Sequence, residues 1–220
     1  MKAANTSTHP SRIPLWLKAA YTAFMAVLIP VYWHQYGPTN FLYFCDIALL
    51  LALVGIWRES ALLVSLPAVG IILPQALWCV DFAFETAGIR FTGMTHYMFE
   101  SHRPLVLRSL SLFHGWLPFL LVYLVARLGY DRRSFAGWSL ISTVACLVSW
   151  LFLPAPGDPL PDAQTPVNVN YVHGLSETEM QQWLPPSVYL VTWIAALIFL
   201  VYLPTHLALK RLFPAPSSLS

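Results

Sequence analysis

Charge is scarce in this chain. Its 220 residues hold 12 Lys and Arg and 10 Asp and Glu, so 10% are charged against 57% hydrophobic. Soluble domains carry about 25% charged residues, which argues against a water-soluble fold. The mean hydropathy of +0.61 agrees. Basic runs are missing as well. The formal net charge is only +2, and no cluster of Lys and Arg would track a phosphate backbone, so nucleic acid is not an expected partner. Cysteine is sparse and lacks pattern. Cys45, Cys79 and Cys146 lie in apolar segments without CxxC spacing, which signals neither a disulfide framework nor a zinc cluster. No metal or cofactor is expected. No small-x-small cleavage site follows the first apolar run, so that run reads as a retained helix rather than a signal peptide. No internal repeat is visible, so an inverted-repeat transporter is not suggested.

Apolar length is what the chain does have. Six segments of about 20 residues emerge, the length that a ~30 Å hydrocarbon core requires. They cover about 15–33, 40–57, 61–82, 109–125, 135–152 and 188–207. The 9 Trp, 10 Tyr and 13 Phe suit a protein with two membrane interfaces to anchor. The expected fold is all-α: a polytopic bundle of six transmembrane helices over 15–210. A disordered cytoplasmic lead at 1–14 precedes it and a cytoplasmic tail at 211–220 follows. With the N-terminus inside, nine Lys and Arg (Lys2, Arg12, Lys18, Arg58, Arg127, Arg132, Arg133, Lys210, Arg211) face the cytoplasm and three (Arg90, Arg103, Arg108) face outward. That bias predicts both termini inside. The long loops, about 83–108 and 154–187, then lie outside, and loops of that length are more often functional than idle.

Polar groups inside the apolar segments mark the candidate site. Asp46 stands within the second segment. A carboxylate there costs about 2.5–3.5 kcal/mol on insertion scales, so it faces a protein interior, a cavity or a partner. Asn40, Tyr43 and Asp46 recur at i, i+3, i+6 and are expected on one helix face. Ser111 and His114 share a face in the fourth segment. Asp81 sits at the outer end of the third, on one stripe with Trp78 and Glu85. All fall in the outer half of the bilayer, which points to one polar pocket opening outward. A His held by a carboxylate keeps one tautomer and can take a proton from a nucleophile. Cys45, Tyr43, Thr39, Ser111 or water are the nearby nucleophiles. Cys45 needs a cation beside it to become a useful thiolate.

The run FLYFCDIALLLALV, 41–54, resembles the second-helix signature of the YwaF-like bacterial integral membrane proteins. Asn170-Tyr171 within NVNYVHG, the Trp-Leu-Pro-Pro stretch after it and Tyr202-Leu203-Pro204 look like that family's NYMYL segment and closing helix. LFHGWLP, 112–118, looks like its fourth-helix His and Pro. The resemblance runs from Asn40 to Pro204 and implies a multi-pass protein of the bacterial inner membrane. That family is similar, more distantly, to ether-phospholipid acyltransferases that use a Cys and a His. It is also similar to androgen-induced membrane hydrolases, which cleave fatty-acid esters of hydroxy fatty acids with a Thr and a His. Carried over, the His is His114 and the Cys is Cys45. Tyr43 falls near the hydrolases' Thr and cannot act as it does, and the proline after His114 is one residue closer than theirs.

The expected function is therefore an integral membrane lipid acyl-ester hydrolase or acyltransferase. His114 is its base, Asp46 or Asp81 the orienter of that base, and Cys45 the nucleophile to test. Asn40, Tyr43, Ser111, Asn168, Asn170, Tyr171 and His173 are expected to line or cap the pocket. Membrane lipids are the expected partners, and a homo-oligomer stays open. One alternative is a transporter or sensor that binds a small solute or proton in the same pocket. A scaffold subunit without chemistry is another.

Overall fold

A computed structural model describes residues 12–160, 165–176 and 178–216. Helix α1 is Leu15–Tyr36 and ends on Gly37 at φ 72°. A 3-10 turn, Pro38–Leu42, leads into α2, Phe44–Arg58. Helix α3, Ala61–Thr86, is 26 residues long. Helices α4, Leu105–Ser111, and α5, Phe113–Leu128, are separated only by Leu112. Helix α6 is Ser134–Phe152. Helix α7, Pro186–Ala196, continues through a π-helical turn at Leu197–Tyr202 into α8, Leu203–Leu212. Among the described residues there is no strand. Among the described residues, five rods are long and apolar enough to cross a membrane: Leu15–Tyr36, Ala61–Thr86, Leu105–Leu128, Ser134–Phe152 and Pro186–Leu212. This is an all-helical, multi-pass architecture.

The expected second span, 40–57, is the element that differs. Helix α2 has 15 residues, ~22 Å at 1.5 Å per residue, against a ~30 Å core. The cause is local. Pro38 has no N–H and a fixed φ, and Tyr43 is extended at φ −60°, ψ 139°. Asn40 therefore sits in the turn and Tyr43 at the helix cap, so the two do not share a helix face with Asp46. Asp46 lies in the first turn of α2.

Helix α3 is central and touches α2, α5, α6 and α8. Pro67 and Pro74 lie inside it without ending it. Neighbouring helices can re-satisfy the carbonyls that a proline frees in a membrane helix. Small residues bring the axes close. The fully buried Trp138 ring of α6 lies on Gly70 and leaves no room for a Cβ there. Gly55 of α2 faces Val64 in the same way, an added Cβ meeting it at 2.9 Å.

The arginine-rich end is fastened by polar contacts. Glu59 accepts from the backbone N–H of Arg12 (2.9 Å) and from Lys18 Nζ (2.7 Å), and Arg12 and Arg127 exchange bonds to each other's carbonyls. Residues 1–11 of the expected lead lie outside the described residues. Its end, 12–14, is packed rather than loose, with Ile13 fully buried. Of the expected tail, 217–220 lie outside the described residues. Arg211 and Leu212 still belong to α8, and the Pro214 carbonyl accepts from Tyr130 N–H at 2.8 Å.

Candidate functional site

The first turn of α2 carries the site's carboxyl group. Asp46 at the third helical position is favoured by the positive end of the helix dipole. Its Oδ2 accepts from Asn40 Nδ2 at 3.1 Å, with Cys45 Sγ 3.9 Å away. The side chain is 2% exposed, yet Oδ1 has no hydrogen-bond partner among the described residues, and Asp46 makes no ion pair there. A buried carboxylate oxygen left in that state is expensive.

Helix α3 carries another such group. Gln75, 3% exposed, has no partner for Oε1 or Nε2 among the described residues. Helices α2 and α3 run antiparallel from the Gly55–Val64 contact. Counting 1.5 Å per residue from there puts Asp46 and Gln75 within ~3 Å of one level.

Aromatic rings lie near Asp46. Tyr32 shares a hydrogen bond with Ser111 Oγ at 3.1 Å and meets Tyr36 edge to face at 5.3 Å. Both tyrosines lie within electrostatic range of Asp46. Tyr97, from the loop after α3, lies beside Ser111, Trp78 and Cys45. Trp78 stacks between Phe82 (5.1 Å) and His114 (5.3 Å). His114 Nδ1 meets the Ser111 carbonyl at 2.8 Å. A carbonyl only accepts, so Nδ1 carries the hydrogen and Nε2 is left as the acceptor.

Of the expected groups, His114 and Ser111 meet directly and Asp46 lies near Tyr32, the hydrogen-bond partner of Ser111, but no acid orients His114. Its Nδ1 is held by backbone instead. The expected role of Asp81 as orienter is corrected, because both its oxygens are taken. Oδ1 accepts from Thr92 N (2.6 Å), Thr92 Oγ1 (2.7 Å) and Gly93 N (3.2 Å), and Oδ2 from Thr95 N (2.9 Å) and Thr95 Oγ1 (2.7 Å). Asp81 fastens the outer loop that delivers Tyr97. Cys45 faces the carboxylate of Asp46 and not a cation, an environment that opposes a thiolate.

The NVNYVHG residues are also structural. Asn170 Oδ1 accepts from Phe44 N–H (3.0 Å) and its Nδ2 donates to the Leu42 carbonyl (2.9 Å), so one amide clamps the start of α2. Asn168 Nδ2 donates to the Gly174 and Ser176 carbonyls, and its Oδ1 accepts from His173 N–H. The Tyr171 carbonyl accepts from Tyr189 Oη at 3.2 Å. His173 Nε2 is buried without a partner among the described residues. Burial lowers the pKa of His173, with nearby Asp158 opposing in part.

At the rim, Arg103 bonds Glu100 at 2.7 Å and lies over the Tyr97 ring at 5.5 Å. The guanidinium holds the Glu100 carboxyl below its ordinary range. Gln75, Tyr32, Tyr36 and Tyr97 were not marked by sequence. Gln75 carried a usable signal, as the single amide in the apolar run 61–80. Protein-family models, curated proteins and solved structures give no match to this chain.

Proposed function

We propose that this protein binds a small polar solute or a proton in the chamber around Asp46 and acts as a transporter or sensor. The observation that carries this is Asp46 Oδ1, buried and unpartnered among the described residues, level with the unpartnered amide of Gln75. Intramembrane acids of this kind mark solute and proton paths. The proposed topology is six spans with both termini in the cytoplasm. The turn and helix together, 38–58, complete the short second span, and the Lys and Arg bias sets the orientation. The chamber then sits toward the outer face, beneath the loop fastened by Asp81. The inner membrane of a bacterium is the proposed location, on the strength of the sequence resemblance.

The test is infrared spectroscopy of the purified protein across pH. A carboxyl band that titrates in the wild type and vanishes in Asp46→Asn is expected. No titrating band attributable to Asp46 would sink the proposal.

One observation favours a second reading, the lipid acyl-ester hydrolase or acyltransferase to which the sequence resemblance points. His114 has Nδ1 pinned to a carbonyl and Nε2 available, the arrangement a general base needs. Ser111 or water is then the group it activates, since Cys45 lacks a cation. A lipid-tailed serine- and thiol-reactive probe that labels wild type but not His114→Ala would move the assignment to catalysis.

A further inference from the structure

The chemistry of the chamber narrows its ligand, and this step rests on the solute-binding reading above. Asp46 is a buried carboxyl group with no Lys, Arg or His paired to it among the described residues. A cationic ligand stabilises the ionised form of that carboxyl, and an anionic ligand opposes it. Two acceptors, Asp46 Oδ1 and Gln75 Oε1, stand at one level without donors among the described residues. Ser111 Oγ, shared with Tyr32, lies beside Tyr97.

Tyr32, Tyr36 and Tyr97 lie around the chamber, and aromatic ring faces attract cations. Tyr97 already seats one: Arg103 lies over it at 5.5 Å, held at the rim by Glu100. A divalent metal fits poorly. Hard cations want a shell of several oxygens, and no group of three His, Cys, Asp or Glu that could hold a metal occurs among the described residues.

We infer that the chamber takes a small primary amine in its ammonium form. The three N–H donors of a primary ammonium satisfy the acceptors on Asp46 and Gln75, while its charge faces the rings. A quaternary ammonium offers charge but no donor. It leaves both acceptors unsatisfied, so the site discriminates against it.

The experiment uses the full-length protein in lipid nanodiscs. Calorimetry and thermal unfolding are recorded with methylammonium chloride, tetramethylammonium chloride or sodium chloride at one ionic strength. Saturable methylammonium binding with a raised Tm is expected, with tetramethylammonium no better than sodium. Asp46→Asn and Gln75→Leu are each expected to weaken binding tenfold or more. Both are first checked for helicity by circular dichroism and for monodispersity, and the second variant keeps the test alive if the first misfolds. Equal binding of tetramethylammonium overturns the primary-amine assignment, as does methylammonium binding that a folded variant leaves unchanged. If methylammonium does not bind while the Asp46 carboxyl band still titrates, the amine assignment falls and the proton-site reading stands. If neither occurs, both fall.

Discussion

Asn170 holds the start of α2 with both ends of one amide, across a chain separation that no local pattern announces. It also sits at φ 60°, a left-handed conformation that Asn tolerates better than most residues. Asn170→Ala loses two hydrogen bonds of about 1 kcal/mol each and meets backbone strain of about 1 kcal/mol. A loss of about 2–3 kcal/mol is expected from denaturation in detergent. Asn170→Asp, nearly isosteric, is expected to be no better, because its second oxygen faces the Leu42 carbonyl where a donor is required.

His173 gives a prediction about pH. Its folded pKa lies below the ordinary His value of about 6.5 because burial opposes the charged form. The unfolded chain then binds more protons in that window, so stability rises with pH. The contribution is complete above about pH 6.5 and is lost as pH falls toward the folded pKa. Wild type is expected to lose more Tm between pH 7.5 and pH 5.5 than His173→Gln. Equal losses would remove His173 as the cause.

At the scale of elements, the loop after α3 depends on a single carboxylate. Asp81→Asn puts an NH2 where one oxygen accepted two donors, and charge-assisted bonds are worth about 1.5–3 kcal/mol each. The loop is expected to open while the helices stay folded. Trypsin cleavage after Arg90 should rise roughly tenfold or more, with helicity unchanged. Gly70→Ala tests the contact between α3 and α6. The new methyl would overlap a fully buried indole, and overpacking of this kind costs about 1–3 kcal/mol. Lower Tm and loss of monodispersity are expected.

The elements also show what the sequence could disclose. Apolar length and scarce charge were enough for the helical, multi-pass architecture, because the bilayer imposes both. Asp46 stood out for the same reason, as a costly group in an apolar run. The sequence did not disclose which side chain satisfies which backbone atom across loops. Depth alone made Asp81 look like a partner for His114, yet its oxygens close on a loop 11 to 14 residues further on. The NVNYVHG residues looked like ligand contacts because their partners, Leu42 and Phe44, lie far away in the chain. The early end of the second span was legible in Pro38, since proline and the residues around it resist a continuous helix.

For the whole molecule, the distribution of Lys and Arg gives a test of topology. A fluorescent protein fused after Ser220 is expected to fold and fluoresce in the cytoplasm. Alkaline phosphatase inserted at Gly157, in the exposed turn after α6, is expected to be active outside. The reverse pattern would turn the molecule over and place the Asp46 chamber on the cytoplasmic side.

The central place of α3 has a further consequence, in the order of synthesis. It is made before α5, α6 and α8, three of the helices it touches. Until they arrive, the groove at Gly70 and the amide of Gln75 have only α2 beside them. A nascent chain that stops after α3 therefore carries an unfinished surface into the bilayer. Assembly cannot close from the N-terminus forward; it waits for Trp138, more than sixty residues later, to seat on Gly70. Truncated chains ending before α6 should accordingly be short-lived in the cell, however apolar their segments are.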